Sequence, residues 1–186
     1  IVCKENNIPF TCIVDPNTTK KSIELMKLYG ADVFKVTKPD TNGGFLESRI
    51  DEVQRRLAND PHLVWTNQYK NMINPMSHYK RTAKEIFDEF SRVDYLFIGA
   101  GTTGTLVGCA AFFKKFSPHT KLIAVDAFGS VTFDSLPSKR FIPGLGTSKK
   151  PKIASLDNVS EVIHVTEKET IETCNELIRD YGALFG

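Results

Sequence analysis

Short apolar runs alternate along this chain with longer segments whose apolar residues recur every three or four positions. Phe10–Val14 is β-rich and stops at Asp15-Pro16. Thr18–Tyr29 follows with helical spacing, with Ile23, Met26 and Leu28 as expected core positions and Gly30 as the stop. Val33–Val36 reads as a short strand, Pro39–Gly44 as a turn, and Phe45–Leu57 as a helix with Ile50, Val53 and Leu57 toward a core. A short strand is expected at Leu63–Trp65, then an irregular segment through Pro75 and a helix capped by Ser77 that runs to about Phe90. Tyr95–Ile98, Lys121–Val125 and Val162–Val165 read as strands; Thr103–Phe116 and Lys168–Tyr181 read as helices. Phe128–Lys152 has no period and reads as a long functional loop.

Repeated strand–helix alternation predicts an α/β fold, with parallel sheet flanked by helices. A domain crossing is expected around residues 66 to 76. It divides the chain into part of a smaller α/β domain (1–70) and part of a larger one (71–186).

Composition changes this picture little. Of 186 residues, 41% are hydrophobic and 25% charged, with a net charge of +2, too small and too scattered to suggest a nucleic-acid partner. The four cysteines (Cys3, Cys12, Cys109, Cys174) lie far apart; Cys12 and Cys109 sit in apolar runs and read as buried free thiols in a reducing compartment. The four histidines show no metal-ligand spacing, so no metal is expected. No apolar stretch reaches membrane length, and the chain opens mid-pattern at Ile1-Val2-Cys3 without a methionine. A cytoplasmic location is the default expectation.

The sharpest local signal is Gly99-Ala100-Gly101-Thr102-Thr103-Gly104-Thr105, which leaves an apolar strand and opens a helix. Glycines let backbone approach a phosphate, and a helix N-terminus offers unpaired N–H groups and partial positive charge. Threonine hydroxyls add donors. Gly99, Gly101 and Gly104 also match the G-x-G-x-x-G dinucleotide fingerprint, with Asp126 near the place of a ribose-binding acid. Against that reading, several strand–helix units precede the loop, whereas a nucleotide domain usually carries its fingerprint on the first strand. No tyrosine has a lysine four places on, so the common dehydrogenase pair is missing as well. A plain tight turn with a structural acid is the third possibility.

The stretch from Asn67-Gln68-Tyr69 through Asn71, Asn74-Pro75 and His78-Tyr79 to Thr82, Glu85 and Ile86 resembles the N-Q-[FY]-x-N-x-x-N-x-x-x-H-Y-x-x-T-x-x-E-I segment of the cysteine synthase and cystathionine β-synthase family. These are the fold-type II pyridoxal-phosphate (PLP) enzymes. Upstream, Cys12–Pro16 and Tyr29-Gly30-Ala31 look like the family's first strand and turn here. Downstream, Gly101–Thr105 corresponds to its G-T-G-G-T loop, with Thr103 replacing a glycine, and Ile142–Gly146 looks like its I-x-G-I-G loop. Within the family, Asp40–Ile50 and Val125–Val131 look most like the branch that makes N-(2-amino-2-carboxyethyl)-L-glutamate from O-phosphoserine and glutamate, a step toward 2,3-diaminopropionate in siderophore pathways.

The resemblance implies a PLP-dependent β-replacement on a serine derivative, with small amino-acid substrates and a homodimeric enzyme. It assigns the cofactor phosphate to Gly101, Thr102, Thr103, Gly104 and Thr105, and places Gln68 and Tyr69 on the substrate side. Arg49 is a further choice, because a guanidinium suits a phosphate or carboxylate, although an ion pair with Glu47 or Asp51 fits it equally. Ser130 and Gly144 are expected to line the same cleft. The Schiff-base lysine is expected upstream of Ile1, and Lys80 is rejected for that role; His78 is expected to anchor its helix. Cysteine synthase chemistry, a dinucleotide-dependent oxidoreductase and a non-catalytic fragment stay open as alternatives.

Overall fold

The structure is a computed structural model that describes residues 1–40 and 44–185. The turn expected over Pro39–Gly44 and part of the Asp40–Ile50 resemblance fall on Thr41, Asn42 and Gly43, outside the described residues. The chain divides into two compact units, Ile1–Trp65 and a second that begins at Thr66.

In the first unit a short helix α1 (Val2–Glu5) precedes β1 (Thr11–Val14), α2 (Lys20–Leu28), β2 (Asp32–Lys35) and α3 (Leu46–Asn59). β1 and β2 pair in parallel with Thr11 opposite Asp32. Thr19 caps α2, its hydroxyl accepting the Ser22 N–H at 3.1 Å. Ile23 and Met26 are half-buried, but Leu28 is 73% exposed. At 100° per residue Leu28 stands far off the stripe that the other two define, so the expected core position is corrected. Ile50, Val53 and Leu57 form the half-buried face of α3, as expected.

The second unit carries α4 (Ile73–Lys80), α5 (Thr82–Glu89), β3 (Tyr95–Gly99), α6 (Gly104–Phe116), β4 (Lys121–Ala127), β5 (Glu161–Val165) and α7 (Glu167–Tyr181). Its three strands form a parallel sheet in the order β3-β4-β5, with β4 central and mostly buried. Phe128–Lys152 contains no helix or strand. Thr66–Lys70 belongs to this unit because its carbonyls are bonded there. The Asn71 side chain donates to Thr66 O at 3.1 Å, Asn74 to Gln68 O at 2.8 Å, and Ile153 N–H to Tyr69 O at 3.3 Å. The second compact unit accordingly begins at Thr66.

Two further expectations are corrected. Leu63–Trp65 joins neither sheet; Val64 is 89% exposed and follows Pro61 without a strand to pair with. Ser77 does not cap a helix. The helix has already begun at Ile73, whose N–H the Asn71 side chain accepts at 3.0 Å, and Ser77 donates its hydroxyl proton to Asn74 O at 2.7 Å. Pro75 is tolerated because a first-turn residue has no intrahelical use for an N–H. One expected helix becomes two, broken at Arg81 (φ −118°, ψ −78°).

The core is built by α6 against α4, α5 and the sheet. Ala83, Ile98, Leu106, Cys109, Phe113, Leu122 and Ala124 are its buried members, and Phe112 meets Tyr79 edge-on with centroids 5.5 Å apart. Cys109 is buried, as expected, whereas Cys12 is only half-buried; both are free thiols. Backbone of α4 comes close to α6 at Gly108. A Cβ there would lie 2.4 Å from Pro75 O and 2.8 Å from His78 Cβ on α4. Gly108→Ala should therefore destabilise the fold by about 1–3 kcal/mol, the range for overpacking. Urea unfolding midpoints measure this, and a midpoint equal to wild type would mean that α4 and α6 do not meet here.

Candidate phosphate-binding site

β3 delivers Gly99 and Ala100 to the C-terminal edge of the sheet, where Ala100 N–H still donates to Val125 O at 2.8 Å. The chain then turns through Gly101–Thr103 into α6. Thr103 takes a left-handed conformation (φ +67°), uncommon for a β-branched residue, and caps α6 without a side-chain bond. The N–H groups of Gly101, Thr102 and Thr103 find no backbone acceptor among the described residues. Those of Gly104, Thr105 and Leu106 open a helix and have no partner within it. The Gly104 N–H donates to Thr102 Oγ1 at 3.5 Å, which leaves five N–H donors and the positive end of a helix dipole on one turn.

The loop is braced from both sides. From α4, the Asn74 side-chain amide donates to Thr102 Oγ1 at 3.2 Å, and His78 Nε2 lies 3.3 Å from Thr105 Oγ1, while its Nδ1 meets Thr82 Oγ1 at 3.0 Å. His78 does tie α4 to its neighbours. From the long loop, Gly146 N–H donates to Ala100 O at 2.7 Å, and a Cβ on Gly101 would stand 3.9 Å from Gly144 O. Gly144 (φ +106°) and Gly146 (φ +75°) hold the left-handed turns that bring this segment in. The Glu167 carboxylate accepts the N–H groups of Phe141 and Ile142 and fixes the segment to the start of α7.

The other sequence candidates fall as follows. Gln68 is exposed and Tyr69 half-buried, and Asn74 links the backbone of Gln68 to the loop. Thr103 is 2% exposed, and its hydroxyl is sealed from solvent without a partner. An anion on the loop in this conformation therefore meets Thr103 through its backbone, not through the hydroxyl the sequence suggested. Ser130 is wholly buried; its hydroxyl accepts the Thr147 N–H at 3.0 Å and pairs with Thr132 Oγ1 at 2.9 Å. It holds the long loop together instead of facing an open cleft. Arg49 is in the first unit, where Nε lies 3.4 Å from Asp15 Oδ2; its ion-pair partner is Asp15 and not Glu47 or Asp51. Lys80 ends α4, exposed. Asn74 and Gly108 were not singled out from sequence. The only signal for them was the asparagine of the Asn67–Ile86 segment and a glycine inside an apolar helix.

Asp126 decides against the dinucleotide reading. It is 0% exposed, so no ribose reaches it. Oδ1 accepts the Ala127 N–H at 2.8 Å and Oδ2 has no partner. Burial pushes its carboxyl above the usual range, partly offset by the Ser130 hydroxyl, the Ala127 N–H and the positive fields of His164 and Arg140.

Backbone donors at a helix N-terminus beside a parallel sheet make this turn a candidate anion site of the α/β kind, whose donor set would fit a phosphate monoester. The family model for pyridoxal-phosphate dependent enzymes matches residues 1–186, and the chain belongs to that family, whose members depend on pyridoxal 5'-phosphate. It is 36% identical over 187 residues to an N-(2-amino-2-carboxyethyl)-L-glutamate synthase of Ralstonia nicotianae, a match that covers all of this chain and 55% of that protein. The fold is shared with two solved structures, each at a TM-score of 0.85. A hydrogen sulfide-producing enzyme from Fusobacterium nucleatum is 24% identical, with 62% of it covered. An O-acetylserine dependent cystathionine beta-synthase from Helicobacter pylori is 23% identical, with 60% covered. Both coverages include the whole of this chain. The architecture is that of the fold-type II PLP enzymes.

A carboxyl whose folded pKa lies above its unfolded one favours the fold below the unfolded pKa and loses that contribution as pH rises through the folded pKa. Asp126→Asn, which cannot ionise, should raise the unfolding midpoint near neutral pH, with the advantage shrinking as pH falls into the carboxylate range. Urea titrations across that range check the sign; a gap that does not change with pH would remove the buried charge as its cause.

Proposed function

We propose that the protein catalyses PLP-dependent β-replacement on O-phospho-L-serine with L-glutamate, giving N-(2-amino-2-carboxyethyl)-L-glutamate and phosphate, on a route to 2,3-diaminopropionate units of siderophores. The observation that carries this reading is the turn of N–H donors at Gly101–Thr105, all but that of Gly104 without a protein acceptor among the described residues, in a chain of this family. The 36% identity to a synthase of that name supports this choice of substrates. Bound PLP supplies an electron sink for the pair left when the α-proton departs. Across the whole reaction the Cβ–O bond to phosphate breaks, a Cβ–N bond to glutamate forms, and the amine gives up one proton.

This chain's own residues have assigned parts in the proposal. The N–H groups of Gly101 to Thr105 hold the cofactor phosphate, joined by the Thr102 hydroxyl. Gln68 and Tyr69 stand on the substrate side, at the entry to α4. Gly144 lets the long loop pass close beside the phosphate turn, with Ser130 holding that loop's shape from within. Arg49, which Asp15 steadies, is the cation assigned to the donor phosphate. A cytoplasmic homodimer is the form the family resemblance suggests.

The test is turnover by the full-length protein, read as phosphate release and as product mass. Turnover of O-phosphoserine with glutamate supports the assignment. Turnover of O-acetylserine with sulfide alone would move it to cysteine synthase chemistry, and a protein that takes up no PLP would end it. Arg49→Ala should lower kcat/KM for O-phosphoserine by about a hundredfold, the scale of a charge-assisted phosphate contact, and leave O-acetylserine nearly unchanged. Equal losses on both donors would take Arg49 out of the role.

A further inference from the structure

The strongest unassigned feature of the second unit is the Asn74 side chain. It lies in the first turn of α4, half-buried, and its NH₂ group is directed at the phosphate loop and its approach. Nδ2 donates one proton to Gln68 O at 2.8 Å and the other to Thr102 Oγ1 at 3.2 Å. A carbonyl oxygen only accepts, so the amide can face Gln68 only through its NH₂ end, which fixes its orientation. The rest of the group occupies the space that a side chain on residue 104 would need. A Cβ on Gly104 would stand 2.1 Å from Asn74 Oδ1 and 2.4 Å from its Cγ.

The consequence is chemical. An NH₂ group has no lone pair to offer, so Thr102 Oγ1 must accept from it and keeps its own proton for another partner. We infer that Asn74 is a positioning residue of the phosphate loop, which turns the Thr102 hydroxyl into a donor aimed at the bound anion and ties it to the backbone of Gln68. The inference rests on the reading that this loop takes the cofactor phosphate. It makes one side chain responsible both for the direction of a phosphate donor and for the place of the segment assigned to substrate. His78, one turn further along α4, meets Thr105 in the same manner, but its ring can donate or accept and sets no direction.

Apo-protein titrated with PLP and, separately, with pyridoxal, which lacks the phosphate, tests this. Asn74→Leu keeps the bulk against Gly104 and removes both donors; it should weaken PLP by about tenfold, the scale of one hydrogen bond to a charged group, and leave pyridoxal unchanged. Thr102→Val should do the same. The double variant should lose no more than either single one, because both remove the same donor. Losses that multiply, or that fall equally on PLP and pyridoxal, would overturn the proposal. Should Asn74→Leu fail to fold, Asn74→Asp reads the same bond. Its carboxylate would draw the Thr102 proton to itself, so PLP affinity should fall further, and wild-type affinity would overturn the proposal. Wild-type protein that binds PLP no more tightly than pyridoxal would sink the phosphate-loop reading beneath it.

Discussion

The second unit depends on how closely α4 and α6 approach. Gly104 and Gly108 stand four residues apart on one face of α6, and at each the space of a missing Cβ is filled by α4: the Asn74 amide at Gly104, Pro75 O and the His78 backbone side at Gly108. Glycine inside a helix costs about 0.5–1 kcal/mol relative to alanine, and Gly108 is accepted here in exchange for contact distance. The same approach brings Asn74 within 3.2 Å of Thr102 and His78 within 3.3 Å of Thr105. Packing and site geometry are therefore one contact. A larger residue at either glycine would push α4 outward and take the braces off the phosphate loop, although neither glycine need touch a ligand through a side chain.

This explains which parts were legible in the sequence. Strands β3 and β4 read correctly because their apolar runs are bounded by turns, although only β4 is mostly buried. The turn between β3 and α6 read correctly as a turn because it is local: one strand end, three glycines and one helix start. Gly108 was not legible, since a glycine inside an apolar helix shows nothing of what that helix will meet. Asn74 had the same difficulty, because its meaning depends on Thr102, 28 residues away. The Leu28 expectation failed for a simpler reason: three apolar residues were taken as one stripe when only Ile23 and Met26 share a face. Ser77 failed because an Asn71 side chain and a tolerated proline had started the helix a turn earlier.

The long loop is where local reading gives out most. Nothing periodic marks Phe128–Lys152, yet it is ordered mostly by its own residues, Ser130, Thr132 and Thr147 bonded to one another and Arg140 donating to Leu145 O at 2.8 Å, with Glu167 holding Phe141 and Ile142 from outside. Its ordering hides Asp126. In sequence that residue is an acid at a strand end, open to any ligand; in the fold it is an acid beneath a loop, raised in pKa because water has left it.

The fingerprint shared with dinucleotide enzymes shows how one pattern serves two ends. In a dinucleotide fold the third glycine of G-x-G-x-x-G lets the helix pack on the sheet, and the acid beyond it receives a ribose. Here Gly104, in that third place, lets α6 pack on α4 instead. Gly99, in the first, meets Leu145 of the long loop, where a Cβ would lie 3.0 Å from Cδ1. The acid is sealed, and Gly146 N–H reaches Ala100 O across the turn. With the long loop pinned beside it in this way, the turn has donors enough for one phosphate, while Asp126 lies out of a ribose's reach. What distinguishes the two outcomes is not the glycines but what each of them is pressed against.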